Sequence, residues 1–290
     1  MKLVSYILNN RGPRLGAVTD SGLVDLSDAS DHALPDNMLA FLQAGENAMA
    51  LARETVSSAT AFLALNDLKL DSPIKNPSKV IAIGLNYMDH IREARIPVPE
   101  VATMFCKYPS AITGPQSEIR WSTSLTSQVD YEAELAVVIG RTARNVAEDD
   151  AYEHIAGYMN CNDVSARDLQ FTPGDQWLRG KCLDTFCPLG PYLVTRDEIP
   201  DPHALSIRCA VNDELVQDSN TGEMIYRIPY LIEYLSAAFT LLPGDIIATG
   251  TPHGVGAFSK PPRWLKNGDR VSVEIEGLGA LENTLSLIHI

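Results

Sequence analysis

Residues 135–139, Leu-Ala-Val-Val-Ile, are an unbroken apolar run that starts directly after Glu134 and stops at Gly140. A half-buried strand alternates apolar and polar side chains. A run without alternation needs cover on both faces, so this segment predicts a strand inside a sandwiched sheet. Just upstream, Asp130, Glu132 and Glu134 recur at every second position, and a strand turns every second side chain to one face. Carboxylates at the mouth of a buried strand repel one another and resist desolvation unless positive charge sits between them. Asp163 supplies a further carboxylate from Asn162-Asp163-Val164. Glu132, Glu134 and Asp163 therefore form a candidate ligand set for a hard divalent cation, with Asp130 as a fourth or an outer partner. Taken alone, an E-x-E strand is more often a solvated edge. The loss of alternation after Glu134 separates this one from that class.

The chain has 290 residues, 45% of them apolar and 21% charged, which suits a soluble globular protein with room for a large core. Its formal net charge of −14, with no basic stripe to offset it, argues against a nucleic-acid partner. No apolar stretch reaches the length of a membrane span, and the first residues lack a signal-like apolar core. The cysteines at 106, 161, 182, 187 and 209 contain no C-x-x-C pair. The expectation is a cytoplasmic protein without a disulfide framework or zinc site.

Residues 1–70 read as a small N-terminal α+β domain. Its strands near 3–8, 15–18 and 23–26 are separated by turns at Arg11-Gly12-Pro13 and Asp20-Ser21-Gly22. Helices over 38–42 and 48–65 follow. Residues 71–78, with Pro73 and Pro77, read as a linker, and 79–290 as a strand-rich catalytic domain. There the pattern predicts a strand at 80–83 and a hairpin of 207–211 with 214–217 across Asn212-Asp213. It also predicts a helix from Pro229 to Leu242, a buried strand at 246–249, and a half-buried strand in which Val271, Val273 and Ile275 alternate with polar residues.

Other residues carry candidate chemistry. His90 and Glu93 share a face of one helical turn, a carboxylate beside an imidazole that it can orient and make more basic; a surface ion pair is the plainer reading. Lys181, between Gly180 and Cys182, is a candidate cation for an anionic substrate or a developing oxyanion. Arg167 and Gln170 follow Asp163 on one helical face, and Arg167 can grip a carboxylate with two donors. The loop 249–256, Thr-Gly-Thr-Pro-His-Gly-Val-Gly, offers backbone N–H groups such as that of Gly250, with the Thr251 hydroxyl beside them. His253 reads as a simple loop residue outside the site.

In order along the chain stand Gly84-x-Asn86-Tyr87-x-x-His90, Lys107-Tyr108-Pro109-Ser110, Asp130-Tyr131-Glu132-Ala133-Glu134-Leu135, Asn162-Asp163-Val164-Ser165-Ala166-Arg167-Asp168, Gly180-Lys181 and Gly250-Thr251-Pro252-His253-Gly254-Val255-Gly256. Together they resemble the fumarylacetoacetate hydrolase family, over about residues 78–284. His90-Ile91-Arg92-Glu93 makes bacterial acylpyruvase-like members the nearest likeness. The resemblance implies a mixed β-roll or β-sandwich catalytic domain and a homodimer. It implies Mg²⁺ or Mn²⁺ on Glu132, Glu134 and Asp163, and water held by His90 and Glu93. Lys181, Arg167, Gln170, Lys107, Thr251 and Gly250 would meet the substrate. Cys182 stands where many relatives would carry serine. Residues 286–290 do not resemble the family's ending and read as a cloning or sequencing remnant, so His289 carries no functional weight.

These roles imply an enzyme for a small anionic 2-oxo acid. The leading expectation is a hydrolase of carbon–carbon bonds in ketonic substances. It would cleave an acylpyruvate such as fumarylpyruvate, maleylpyruvate or acetylpyruvate to pyruvate and a carboxylic acid, as in aromatic catabolism. The alternative is a decarboxylase of oxaloacetate or another 2-oxo diacid, or an isomerase or dehydratase, working through the same enolate. A non-catalytic 2-oxo acid binder ranks last, because no candidate carboxylate or lysine is missing. The acyl pocket would be shaped by Ile96, Pro97, Val98 and Pro99 and by residues 169–176.

Overall fold

The computed structural model describes residues 1–8, 11–172 and 176–288. His289 and residues 173–175 of the expected acyl-pocket segment lie outside that set. Among the described residues, eleven strands form one mixed sheet. Its main path runs Gly22–Asp25, Arg11–Thr19, Lys2–Leu8, Cys187–Thr195, Ile155–Asn162, Ala133–Ile139, Ile246–Ala248, Val80–Gly84, Thr103–Lys107. A five-stranded sheet, in the order Glu214–Asn220, Ser206–Val211, Arg270–Ile275, Gly279–Leu287, Glu118–Trp121, packs against it. The strand-rich α+β architecture is as expected.

The strand Ala133–Ile139 is buried at every position. Leu135, Val137 and Ile139 enter a core shared with Ile207, Val273 and Ile275 of the smaller sheet. Ala136 and Val138 enter a second core with Leu3, Phe41, Leu42 and Ala52. Both faces are covered, which is why the sequence stops alternating. Each large aliphatic side chain buried this way contributes about 1.5–3 kcal/mol.

The amino-terminal strand joins the large sheet directly, with Lys2 opposite Val194 and Leu3 opposite Leu193. Ser72 and Ile74, in the stretch expected as a linker, are buried, and Ser5 Oγ donates to the Pro73 carbonyl at 2.8 Å.

Several boundaries differ from the sequence expectation. Arg11-Gly12-Pro13 is part of a strand, not a turn. Asp25 caps a short helix, Leu26–Ala29, so Leu26 leaves the strand. The helix Gly45–Ser58 stops well before Leu65, because Leu63 pairs with Leu23 through two backbone hydrogen bonds of 2.8 and 2.9 Å. The helix Ile228–Ala238 stops before Leu242, because Leu241 exchanges two 2.9 Å hydrogen bonds with Ala143. The hairpin turn is as read: Asn212 and Asp213 have φ of 51° and 67°, the left-handed pair that this turn requires.

Candidate active site

Antiparallel pairing of Ala133–Ile139 with Ile155–Asn162 sets Glu134 opposite Cys161. It thereby delivers Asp163 beside Glu132. The Asp163 N–H donates to the Glu132 carbonyl at 2.9 Å, and the Glu132 N–H donates to Asn162 Oδ1 at 3.1 Å. Carboxylate oxygens of Glu132, Glu134 and Asp163 all lie within 4.8 Å of one another, and all three residues are buried.

Three buried cations surround the cluster, and they are not shared evenly. Lys181 Nζ donates to Glu132 Oε2 at 2.6 Å and to Asp163 Oδ2 at 2.7 Å. Lys107 Nζ grips the other Asp163 oxygen and the Val164 and Lys181 carbonyls. Arg167 pairs with Asp130 at 2.8 Å and with Glu132 Oε1 at 2.7 Å, and donates to Gln170 Oε1 at 2.9 Å. Burial opposes ionisation of Glu132, yet Lys181 and Arg167 overcome it and hold the carboxyl below its usual range. Asp130 is raised by complete burial despite Arg167. It also accepts the Gly256 and Ala257 N–H groups at 2.8 and 3.0 Å. It is thus an outer partner holding Arg167, not a fourth member of the cluster.

Glu134 is the exception. Its hydrogen-bond partner among the described residues is the Gly250 N–H at 3.0 Å, aimed at it by a Gly250 φ of 102°. Burial, then the charges of Asp163 and Glu132, push its carboxyl well above the ordinary value. A buried carboxylate facing two others, with one donor, is electrostatically unfinished. A hard divalent cation with oxygen ligands fits this donor set, and would offset the repulsion that the lysines leave.

The helix Met88–Ala94 carries His90 to the same place. Its Nδ1 lies 3.2 Å from Glu93 Oε2, and the other Glu93 oxygen accepts the Gly254 N–H at 2.9 Å. With Nδ1 engaged, Nε2 is the ring nitrogen left for the pocket. A cavity of about 260 Å³ is lined by His90, the three carboxylates, Arg167, Gln170, Lys181 and Thr251, and closed by apolar groups including Ile96, Phe105, Phe171, Trp177 and Phe258. Trp177 lies against Gly84, where an added Cβ would collide with the indole.

Two residues expected at the substrate stand elsewhere. Lys107 does not line the cavity, because all its donors are spent on Asp163 and two carbonyls. The Gly250 N–H is spent on Glu134. Thr251 lines the cavity, with its hydroxyl accepting from Gln217 Nε2 at 2.9 Å. Gln217 has no counterpart in the sequence expectations. Fully buried, it accepts the Ala133 N–H at 2.9 Å and donates to the Pro252 carbonyl, so it ties the carboxylate strand to the 249–256 loop. Its signal in the sequence is a polar residue on the inward side of a hairpin strand.

Residues 79–286 match the fumarylacetoacetate (FAA) hydrolase C-terminal family. The chain is 47% identical over 287 residues to a protein of Xenopus laevis named oxaloacetate tautomerase fahd2, mitochondrial, covering 98% of this chain and 89% of the relative. Among solved structures, a putative HpcE protein from Mycobacterium smegmatis superposes with a TM-score of 0.88 at 36% identity, over the whole of both chains. Maleylpyruvate hydrolase from Sphingobium sp. SYK-6, in complex with manganese(II) and pyruvate, does so with a TM-score of 0.82 at 32% identity, again over the whole of both chains. The mitochondrial relatives overturn the expectation of a cytoplasmic protein. The five cysteines are unpaired, and cysteine usage by itself gives no address. Among the described residues, no helix is long and apolar enough to cross a membrane.

Proposed function

The chain belongs to the fumarylacetoacetate hydrolase family, and we propose that it interconverts the enol and keto forms of oxaloacetate or a close 2-oxo diacid. Glu132, Glu134 and Asp163 would hold Mg²⁺ or Mn²⁺. When bound, that cation would supply Lewis acidity toward the 2-oxo group and a template for the adjoining carboxylate. The observation that carries the reading is the buried three-carboxylate cluster in which Glu134 has no cationic partner among the described residues. The choice of reaction within the family rests on relatives such as the Xenopus protein, at 47% identity over nearly the whole chain.

In this reading His90, oriented by Glu93, takes the proton from C3 of the keto form as general base. Negative charge develops on the C2 oxygen, where Lys181 stabilises it until the proton held by His90 is passed to that oxygen to give the enol; in the reverse run His90 takes the enol proton and returns it to C3. Arg167, braced by Asp130, and Gln170 orient the diacid through its carboxylates. Phe105, Phe171, Trp177 and Phe258 keep bulk water from the exposed carbanion character. No water enters the balance, because one proton leaves carbon and one reaches oxygen.

A second reading is hydrolysis of an acylpyruvate. The His90–Glu93 pair over the cavity favours it, since such a pair can also activate water, as does the likeness to maleylpyruvate hydrolase. One assay separates the two. Freshly dissolved enol oxaloacetate is followed by the decay of its ultraviolet absorbance, with Mg²⁺ or Mn²⁺ present, beside a panel of acylpyruvates scored for pyruvate release. Rapid ketonisation without acylpyruvate turnover upholds the proposal. Acylpyruvate cleavage with enol decay no faster than in buffer transfers the assignment to the second reading, and silence in both arms sinks both.

A further inference from the structure

The geometry points to Asp89 and His253 as positioning residues for His90: they latch the helix Met88–Ala94 to the loop that also supports the carboxylate cluster. The inference rests on the reading of His90 as the base. The helix has only 7 residues and no side-chain cap at its start, and so short a helix has little stability of its own. The angle at which His90 enters the cavity must therefore be fixed from outside. Its two carboxylates do this. Asp89 Oδ2 accepts from His253 Nδ1 at 2.8 Å and from Ser219 Oγ at 2.5 Å. Asp89 Oδ1 accepts the His253 N–H at 3.3 Å and the His90 N–H at 2.7 Å. Glu93 takes the Gly254 N–H on the next turn.

The far side of the same loop completes the connection. The Gly250 N–H goes to Glu134, and the Gly256 and Ala257 N–H groups go to Asp130, which holds Arg167. One short loop thus fixes the base on one wall of the cavity and the cation-binding and substrate-binding groups on the other. The His253 side chain is 47% exposed and that of Asp89 15% exposed, so core packing does not account for this pairing. His253, which the sequence alone leaves as a loop residue, is the loop's side-chain hold on the helix.

The plainer account is that Asp89 merely favours the first turn of the helix, and the test separates the two. Asp89→Asn, His253→Ala and His253→Gln are compared in metal-loaded protein by steady-state ketonisation of oxaloacetate, each alone and in a His90→Ala background. Amide hydrogen exchange is followed in parallel. A misplaced base costs turnover more than binding, so Asp89→Asn and His253→Ala should each lower kcat roughly 10- to 100-fold with KM little changed. His253→Gln, which keeps a side-chain donor, should recover part of the loss. In the His90→Ala background Asp89→Asn should cost nothing further, and residues 88–94 should exchange faster while 133–139 do not. Unchanged kcat and unchanged exchange over 88–94 would overturn the latch, and so would an equal loss with and without His90. If the parent protein does not turn over oxaloacetate, the functional reading has failed. The exchange experiment then decides alone: faster exchange over 88–94 upholds the latch and unchanged exchange overturns it.

Discussion

The strand Ile246–Ala248 has a buried carboxylate at each end, and the two are treated in opposite ways. Asp245, fully buried before the strand, accepts from Ser78 Oγ at 2.5 Å, the Leu242 N–H at 2.7 Å and the Lys79 N–H at 3.1 Å, and pairs with the Lys79 ammonium. Glu134, buried beyond the other end, has one N–H from Gly250 and two carboxylates for neighbours. Satisfied charge inside a fold ties segments together; unsatisfied charge costs stability and persists where something else is meant to arrive. The difference separates a structural end of the sheet from a chemical one. It also explains why the cations nearby do not close the site: Lys107, Lys181 and Arg167 fix Asp163 and Glu132 in place but leave Glu134 free of them.

The largest consequence concerns activity. Glu134→Gln in the presence of Mg²⁺ or Mn²⁺ should lower kcat/KM about 1000-fold or more, measured by enol decay, because several kcal/mol of charge stabilisation depend on the cation. A loss below tenfold would erase the distinction between the two ends. Asp245→Ala should behave in the contrary way. Urea unfolding should show a loss of about 3 kcal/mol, with the affinity for the divalent cation unchanged by calorimetry. His90→Ala should lower kcat about 100-fold and leave cation affinity alone, since the imidazole lies outside the carboxylate triad.

The smallest effect has a distinctive sign. The folded-state pKa of Glu134 is raised, so the folded chain binds this proton more tightly than the unfolded one. The cation-free protein should therefore lose stability as pH rises from the unfolded glutamate value near 4.3 toward the raised one. Glu134→Gln removes that penalty. At pH 8 it should therefore stabilise the cation-free protein, and at pH 5 much less. Thermal melts in a chelator at pH 5 and pH 8 would show it, and a destabilised variant at pH 8 would mean that Glu134 is satisfied after all.

The candidate ligands were legible because their signal is local. Alternation puts Glu132 and Glu134 on one face, and the apolar run after them announces burial. The His90–Glu93 pair was legible for the same reason, as neighbours on one helical turn. Lys107 was misread because its partner Asp163 lies 56 residues away, and nothing in a strand-borne lysine says whether it faces a substrate or a carboxylate. Gln217 and Asp89 were invisible because their partners sit across the fold. The helix ends near Ser58 and Ala238 were overrun because tertiary pairing at Leu63 and Leu241 overrides local helical preference. Cysteine usage was a poor guide to location, because a reducing interior is not peculiar to one compartment.

The central claim is that Glu134 is left without a cationic partner because a divalent cation completes the cluster. Calorimetric titration of Mn²⁺ into chelator-treated protein, beside Glu134→Gln and Asp245→Asn, tests it most directly. The account predicts one saturable site per chain in the parent protein and in Asp245→Asn, and its loss in Glu134→Gln. Equal affinity in the parent protein and in Glu134→Gln would contradict it.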